Sequence, residues 1–150
     1  MRQPAALELL IVEDNPQDLE LALLALRQAC PNGRIHVARD GAEALEYIFC
    51  EGSYATRRIA DVPSVILLDL KLPKIDGLDV LKRIKGDIRT KLIPVVVLTS
   101  SREQRDVVES YKLGVNSYIV KPVNFERFTE AVRNLGFYWQ LLNQPPKVVN

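Results

Sequence analysis

Short apolar runs along the chain alternate with longer segments in which apolar residues recur at helical spacing. Runs that are apolar at consecutive positions, such as Val65–Leu68, are typical of strands buried on both faces of a parallel sheet. Spacings of three and four residues instead indicate amphipathic helices. The pattern predicts five strands, at residues 7–12, 34–38, 65–68, 94–98 and 117–120.

Capping and turn residues separate these predicted strands and mark the helices between them. Asn15 and Pro16 supply an N-cap and a first-turn proline for a helix that extends to about Ala29. The further predicted starts are Asp40, Asp76-Gly77, one of the hydroxyls of Thr99, Ser100 and Ser101, and Asn124, with Gly114 ending the fourth helix.

Strands that alternate with helices predict an α/β fold, in which helices cover both faces of a five-stranded parallel sheet. Residues 51–63 lack any period and are predicted to form a surface connection. No repeat or linker interrupts the pattern, and the length suits one core. We therefore expect residues 1–150 to form one domain without an effector domain.

Composition excludes several classes of protein. Twenty Lys and Arg against nineteen Asp and Glu give a net charge of +1, which disfavours direct DNA binding. No apolar run approaches the roughly 18 residues of a membrane span, and the N-terminus is unlike a secretory signal, so we expect a cytoplasmic protein. Cys30 and Cys50 lack metal-ligand spacing and are expected to be reduced thiols at helix ends.

Distinctive polar residues follow the predicted strands: Glu13 and Asp14, then Asp69, Thr99 and Lys121. The carboxyl ends of parallel strands share one edge of a sheet, where ligands bind, so we expect these side chains to converge. Crowded carboxylates raise one another's pKa unless a cation compensates, and Mg²⁺ prefers oxygen ligands. The pattern predicts a Mg²⁺ site at which Asp69 can accept a phosphoryl group.

These residues lie in motifs that resemble the receiver domains of bacterial two-component response regulators, and the resemblance covers nearly the whole chain. It implies a flavodoxin-like doubly wound sheet with the strand order 2-1-3-4-5. The motifs are Val12-Glu13-Asp14-Asn15, Leu68-Asp69-Leu70-Lys71-Leu72-Pro73, Asp76-Gly77, Leu98-Thr99-Ser100 and Val120-Lys121-Pro122.

The resemblance also implies roles for the acidic residues. Asp69 is expected to be the phosphoacceptor and Asp14 a direct metal ligand, while Glu13 acts on the metal through water. The backbone carbonyl of Lys71 is expected to be a further ligand. Family members often have Asp at the position of Glu13, so this difference concerns the geometry around the metal.

Further roles implied by the resemblance concern the response to phosphorylation. Thr99 is expected to be the switch hydroxyl, Lys121 the phosphoryl clamp, and Tyr118 the aromatic whose rotamer reports the state. The side chains of Lys71 and Ser101 are expected at the mouth of the site, where they influence the hydrolytic water. The bond between Lys121 and Pro122 resembles the cis peptide of the family.

The long connection after the second helix and the aromatic C-terminal segment resemble single-domain regulators that partner phytochrome-type histidine kinases. We therefore expect a sensor histidine kinase of that type as the phosphodonor. Residues 137–150 are expected to form a C-terminal extension. A homodimer is predicted through the fourth helix, the fifth strand and the fifth helix, with Phe137, Tyr138 and Trp139 at the interface.

Two other functions are compatible with an Asp after an apolar strand. A phosphohydrolase of the haloacid dehalogenase type needs a second Asp two residues later, where this chain has Lys71. A receiver-like scaffold that is never phosphorylated would not need the full set of acids, hydroxyl and lysine. We therefore favour a phosphoacceptor that is not an enzyme, and we interpret the single histidine, His36, as structural.

Overall fold

The computed structural model describes residues 8–58, 62–121, 124, 126–130 and 134. In these ranges the strands are β1 (Glu8–Val12), β2 (Arg34–Ala38), β3 (Val65–Leu68), β4 (Val95–Thr99) and β5 (Ser117–Val120). The helices are α1 (Pro16–Ala29), α2 (Gly41–Phe49), α3 (Gly77–Gly86) and α4 (Gln104–Lys112). A 3₁₀ turn spans Gly52–Tyr54, and residues 126–130 are helical.

The five strands form one parallel sheet in the order β2-β1-β3-β4-β5, which confirms the predicted doubly wound fold. Leu10 on β1 pairs with His36 of β2 on one side and with Ile66 of β3 on the other. The strand order reverses between β1 and β3. In open α/β sheets, a crevice forms outside the carboxyl ends of the strands at such a reversal.

Alternate residues of the inner strands face opposite sides of the sheet and build two cores. Toward α2 and α3, the core contains Leu10, Val12, Ile66, Leu68, Val95 and Val97 with Ala44, Leu45, Ile48, Val80, Leu81 and Ile84. Toward α1, the core contains Leu9, Ile11, Val65, Leu67, Val96 and Leu98 with Leu19, Ala22, Ala25, Leu26 and Phe128. Both faces are covered, which explains why β3 and β4 are apolar at successive positions.

Local capping explains where α1 and α2 begin, and both predicted starts are confirmed. The side-chain oxygen of Asn15 accepts hydrogen bonds from the backbone N–H groups of Gln17 and Asp18, each at 3.0 Å. Asp40 accepts from the N–H of Glu43 at 2.8 Å. These bonds satisfy N–H groups that have no partner within the helix.

The first residues after α1 and α2 are Cys30 and Cys50, which are reduced thiols, as the sequence predicted. His36 lies on β2, away from the carboxyl edge, and its ring stacks on Tyr47 with 3.9 Å between the centroids. Its Nε2 lies 3.1 Å from the Tyr54 hydroxyl, and burial lowers the pKa of His36. These contacts fit a structural histidine.

Two predicted boundaries were wrong. Strand β4 begins at Val95, because Pro94 has no N–H to donate to the ladder. It ends at Thr99, one residue later than predicted. The cap of α4 is Glu103, without a side-chain capping bond, and not one of the preceding hydroxyls. The Ser101 hydroxyl accepts from the Glu103 N–H at 3.4 Å, but it donates to the Asp106 carboxylate at 2.5 Å.

The predicted start of the last helix agrees with the described residues, since Asn124 accepts from the N–H of Arg127 at 3.0 Å. Pro122 and residues 137–150 lie outside the described part of the chain. The predictions for the Lys121-Pro122 bond, the extension and Phe137, Tyr138 and Trp139 therefore stay predictions. None of the described helices combines the length and the apolar character that a membrane crossing requires.

Candidate functional site

Backbone hydrogen bonds hold the candidate site residues at the carboxyl edge of the sheet. The N–H of Asp69 donates to the carbonyl of Val12 at 3.1 Å, and the N–H of Lys121 donates to the carbonyl of Thr99 at 2.8 Å. Each bond continues a parallel ladder beyond the end of a strand. The positions of Asp69 and Lys121 are therefore set by the sheet rather than by a free loop.

Three carboxylates meet at this edge. Ligand oxygens of Glu13, Asp14 and Asp69 all lie within 4.8 Å of one another, with Glu13 and Asp69 buried and Asp14 exposed. A set of ligands that consists only of oxygens fits a hard divalent cation, and the exposed member leaves a path for hydrated ions. These residues can hold a divalent metal ion.

The ammonium of Lys121 lies against the same carboxylates. Its Nζ donates to Glu13 Oε1 at 2.5 Å, to Asp18 Oδ2 at 2.9 Å and to Asp69 Oδ2 at 3.0 Å. The side chain of Lys121 is only 10% exposed. An ammonium has three donors, and all three have acidic partners here.

The crowding of these groups shifts two pKa values. Burial raises the pKa of Glu13 to about 7, and the nearby Asp69 acts in the same direction, while the Lys121 ammonium opposes both. Burial lowers the pKa of Lys121, but its hydrogen bonds to Glu13, Asp18 and Asp69 outweigh this effect and raise it. The Lys121 ammonium thus interacts with three carboxylates at once, and Lys121 stays positively charged.

The chain after β3 wraps around the Asp69 carboxylate. The N–H of Lys71 donates to Asp69 Oδ1 at 3.0 Å, so the two carboxylate oxygens face different donors. The N–H of Gly77 donates to the Leu70 carbonyl at 2.9 Å. A Cβ at Gly77 would collide with the Asp69 carbonyl and the Leu70 backbone, so this approach requires glycine.

Hydrogen bonds to the backbone of Ser101 connect the end of β4 to β5. Thr99 is fully buried, and its Oγ1 accepts from the N–H of Ser101 at 3.3 Å. The hydroxyl of Tyr118 donates to the Ser101 carbonyl at 3.1 Å. Thr99 and Tyr118 lie on neighbouring strands, and they are joined through Ser101.

A further carboxylate, Asp106 in the first turn of α4, is buried and accepts from the Ser101 hydroxyl at 2.5 Å. Its Oδ2 also lies 3.9 Å from the Lys71 ammonium. Lys71 and Ser101 therefore share one carboxylate as a partner.

The structure brings Glu13, Asp14, Asp69 and Lys121 together, and the sequence analysis missed two residues that contact this group, Asp18 and Asp106. Asp18 lies in the first turn of α1, close in the chain to Glu13 and Asp14, so its position near the acidic edge could have been expected. Asp106 gives no comparable local signal, because its partners come from other loops.

Known proteins are similar to this chain along almost its whole length. A family model for the response regulator receiver domain matches residues 9–133. The response regulator Rcp1 of Synechocystis sp. is 37% identical over 131 residues, which cover 87% of this chain and 87% of the relative. The predicted family resemblance is confirmed.

Solved structures agree with the fold and with the narrower resemblance to phytochrome regulators. The bacteriophytochrome response regulator AtBRR is 53% identical with a TM-score of 0.77, covering 94% of this chain and 100% of that one. The phosphorylated cyanobacterial phytochrome response regulator RcpA is 39% identical with a TM-score of 0.78, covering 95% and 100%. The Mn²⁺-bound form of Rcp1 is 36% identical with a TM-score of 0.75, covering 93% and 98%.

Proposed function

Because the chain belongs to the response regulator receiver domain family, we propose that it is a phosphorylation-activated switch in which Asp69 accepts a phosphoryl group from a histidine kinase. The observation that carries the proposal is the contact between Asp69 Oδ2 and the Lys121 ammonium at 3.0 Å, beside two further acids. Phosphoryl transfer needs little covalent help from the protein. It needs positioning and positive charge around the transferred oxygens.

In the proposed step, a carboxylate oxygen of Asp69 forms a bond to phosphorus while the bond from phosphorus to the donor imidazole nitrogen breaks. The electron pair of the broken bond stays on that nitrogen, which takes up a proton. Lys121 stabilises the charge on the phosphoryl oxygens. The N–H of Lys71, 3.0 Å from Asp69 Oδ1, orients the attacking carboxylate.

Glu13, Asp14 and Asp69, with the backbone carbonyl of Lys71, would hold a Mg²⁺ ion. The three acids are close enough to share one ion, and the Mn²⁺-bound form of Rcp1 supports a divalent metal in a similar protein. When bound, the ion supplies positive charge that offsets the incoming phosphoryl group.

Phosphorylation is proposed to change the surface of α4 and β5 through Thr99 and Tyr118. The bonds from the Ser101 N–H to Thr99 Oγ1 and from the Tyr118 hydroxyl to the Ser101 carbonyl give a physical connection for this coupling. A movement of the Thr99 hydroxyl toward the phosphoryl group would release the Ser101 N–H. The loop that carries the acceptor of Tyr118 would then change.

The proposed phosphodonor is a sensor histidine kinase of the phytochrome type, because AtBRR and RcpA are phytochrome response regulators. The proposed output is association with a second copy through α4, β5 and the helical residues 126–130, extended by the predicted Phe137, Tyr138 and Trp139 contacts. Direct DNA binding is not part of the proposal, since the net charge is +1. A haloacid dehalogenase-type phosphohydrolase is not favoured, because Lys71 occupies the position of its second Asp.

Labelling with acetyl phosphate tests the proposal. The wild-type protein should gain one phosphoryl group in Mg²⁺, as an increase in intact mass, and lose this reaction in excess chelator. Asp69→Asn should abolish labelling, whereas Asp79→Asn, the same change at an exposed position of α3, should not. Labelling of the Asp69→Asn variant would assign the phosphoacceptor elsewhere, and an unlabelled wild type would favour the unphosphorylated scaffold.

A further inference from the structure

Asp106 is a buried carboxylate that the proposed reaction does not use. Its residue is 6% exposed, although it lies in the first turn of α4, where most neighbouring residues are exposed. Burial of a carboxylate is costly unless hydrogen bonds and opposite charges compensate. The Ser101 hydroxyl at 2.5 Å and the Lys71 ammonium at 3.9 Å provide both kinds of compensation.

The two partners of Asp106 belong to the two loops that border the candidate phosphoryl site. Lys71 lies two residues after Asp69 and donates its N–H to Asp69 Oδ1, while its side chain extends to Asp106. Ser101 lies two residues after Thr99 and donates its N–H to Thr99 Oγ1, while its hydroxyl bonds Asp106. One side chain of α4 therefore links both loops.

The Lys71 ammonium is the more exposed and more weakly bound of the two partners of Asp106. Its side chain is 57% exposed, and its 3.9 Å separation from Asp106 is at the outer limit of an ion pair. An aspartyl phosphate at Asp69 carries about two negative charges where the free carboxylate carries one, and these charges lie close to the Lys71 backbone. The phosphoryl group and Asp106 would then compete for the same ammonium.

We infer that Asp106 is a positioning residue that holds the Lys71 ammonium against α4 and so leaves the phosphoryl group on Asp69 open to hydrolytic water. The inference rests on the proposed function. In hydrolysis, a water oxygen bonds to phosphorus, and the bond between phosphorus and the Asp69 oxygen breaks with its electron pair remaining on the carboxylate. The water proton passes to the released phosphate or to solvent.

Loss of Asp106 frees the Lys71 ammonium to contact the phosphoryl oxygens and to obstruct the approach of water. Asp106→Asn keeps the shape of the side chain and an acceptor for the Ser101 hydroxyl, but it removes the charge that attracts Lys71. The aspartyl phosphate should then last about two- to fivefold longer, the size of effect that a partly exposed ion pair produces. Adding Lys71→Met to Asp106→Asn should remove this increase.

The experiment labels each variant with acetyl phosphate in Mg²⁺, removes the donor and follows phosphate release. Asp106→Glu keeps the negative charge, so the lifetime of its aspartyl phosphate should be close to the wild-type value. Glu109→Gln removes the same charge from another position of α4 and should leave the lifetime unchanged. If Asp106→Asn melts below the assay temperature, Asp106→Ser takes its place, since it also removes the charge.

The outcomes separate this inference from the proposed function. An unlabelled wild type would overturn both. A labelled wild type with an unchanged or shorter lifetime in Asp106→Asn would overturn the role of Asp106 alone. An equal increase in Glu109→Gln, or an increase that persists with Lys71→Met, would also overturn it, because the effect would then come from the charge of the helix or from its packing.

Discussion

At the scale of single residues, the Lys121 ammonium has reached its donor capacity. Glu13 and Asp69 are almost buried partners, with side chains 3% and 6% exposed, whereas the side chain of Asp18 is 38% exposed. A solvent-exposed carboxylate pays the smallest free-energy cost when its hydrogen-bond partner moves away, because water replaces the lost hydrogen bond. We therefore expect Lys121 to exchange its bond to Asp18 for one to the phosphoryl group.

Lys121→Met should destabilise the metal-free protein by about 3–5 kcal/mol, because it leaves buried acids without a counter-charge. The loss of stability should lie at the lower end of this range, because the pKa of Glu13 is raised to about 7 and protonation of Glu13 can remove one of the buried charges. Mg²⁺ should raise the free energy of unfolding more in this variant than in the wild type, as denaturant titrations with and without MgCl₂ would measure. The exposed Lys82→Met serves as the control. An equal effect of Mg²⁺ on all three proteins would contradict the proposed site.

At the scale of secondary structure, the start of α3 sets the position of the loop that follows β3. Gly77 packs against the backbone of Asp69 and Leu70, and its N–H donates to the Leu70 carbonyl. The helix thus contacts the backbone of Asp69, the proposed phosphoacceptor. Its Val80, Leu81 and Ile84 side chains anchor it in the core, so the helix cannot move away without losing buried apolar contacts.

Gly77→Ala should destabilise the protein by about 1–3 kcal/mol, since an added methyl group at a packed position forces the backbone to shift. The same shift should slow labelling of Asp69 by acetyl phosphate. Gly86→Ala, at the other end of α3, is the matched control, because a Cβ there meets no atom within 4 Å. That variant should be neutral or slightly more stable, given the helix propensity of Ala. Equal melting temperatures for Gly77→Ala and the wild type would contradict the prediction, because the loop after β3 would then accommodate the methyl group without cost.

At the scale of the whole molecule, α4 carries apolar side chains that the described core does not bury. Val108 and Tyr111 are 43% and 52% exposed, and the buried members of α4 are the polar residues Asp106 and Ser110. A self-complementary contact between two copies would bury such a surface twice. Phosphorylation can strengthen that contact only to the extent that the phosphorylated protein binds a second copy more tightly than the unphosphorylated protein does.

The double variant Val108→Ser and Tyr111→Ser should weaken the proposed homodimer about tenfold or more, because each protomer loses apolar contacts at the interface. Light scattering over a concentration series, with and without acetyl phosphate, measures the change. Leu24→Ser, an exposed apolar residue of α1 on the opposite face of the sheet, is the control. A monomer at all concentrations, or equal weakening by the control, would exclude a dimer through α4.

Much of the fold and part of the site could be predicted from local sequence alone. Continuous apolar runs identified the strands, because a strand covered on both faces has no polar side, and Asn15 and Asp40 identified the first residues of two helices. The carboxyl ends of parallel strands share one edge of the sheet, and for this reason the sequence alone predicts that Asp14 and Asp69 converge.

The tertiary structure alone decided which partners these residues have. Lys121 meets Asp18 across 103 positions of the chain, and no local pattern specifies a contact at that separation. The prediction that a hydroxyl caps α4 was wrong for a similar reason. The Ser101 hydroxyl donates to the buried Asp106 carboxylate, a contact that only the folded chain reveals. Apolar periodicity is a property of each segment and can be read in order along the chain. The pairing of charges and hydroxyls depends on the distances that packing creates, and only the folded sheet and its helices set those distances.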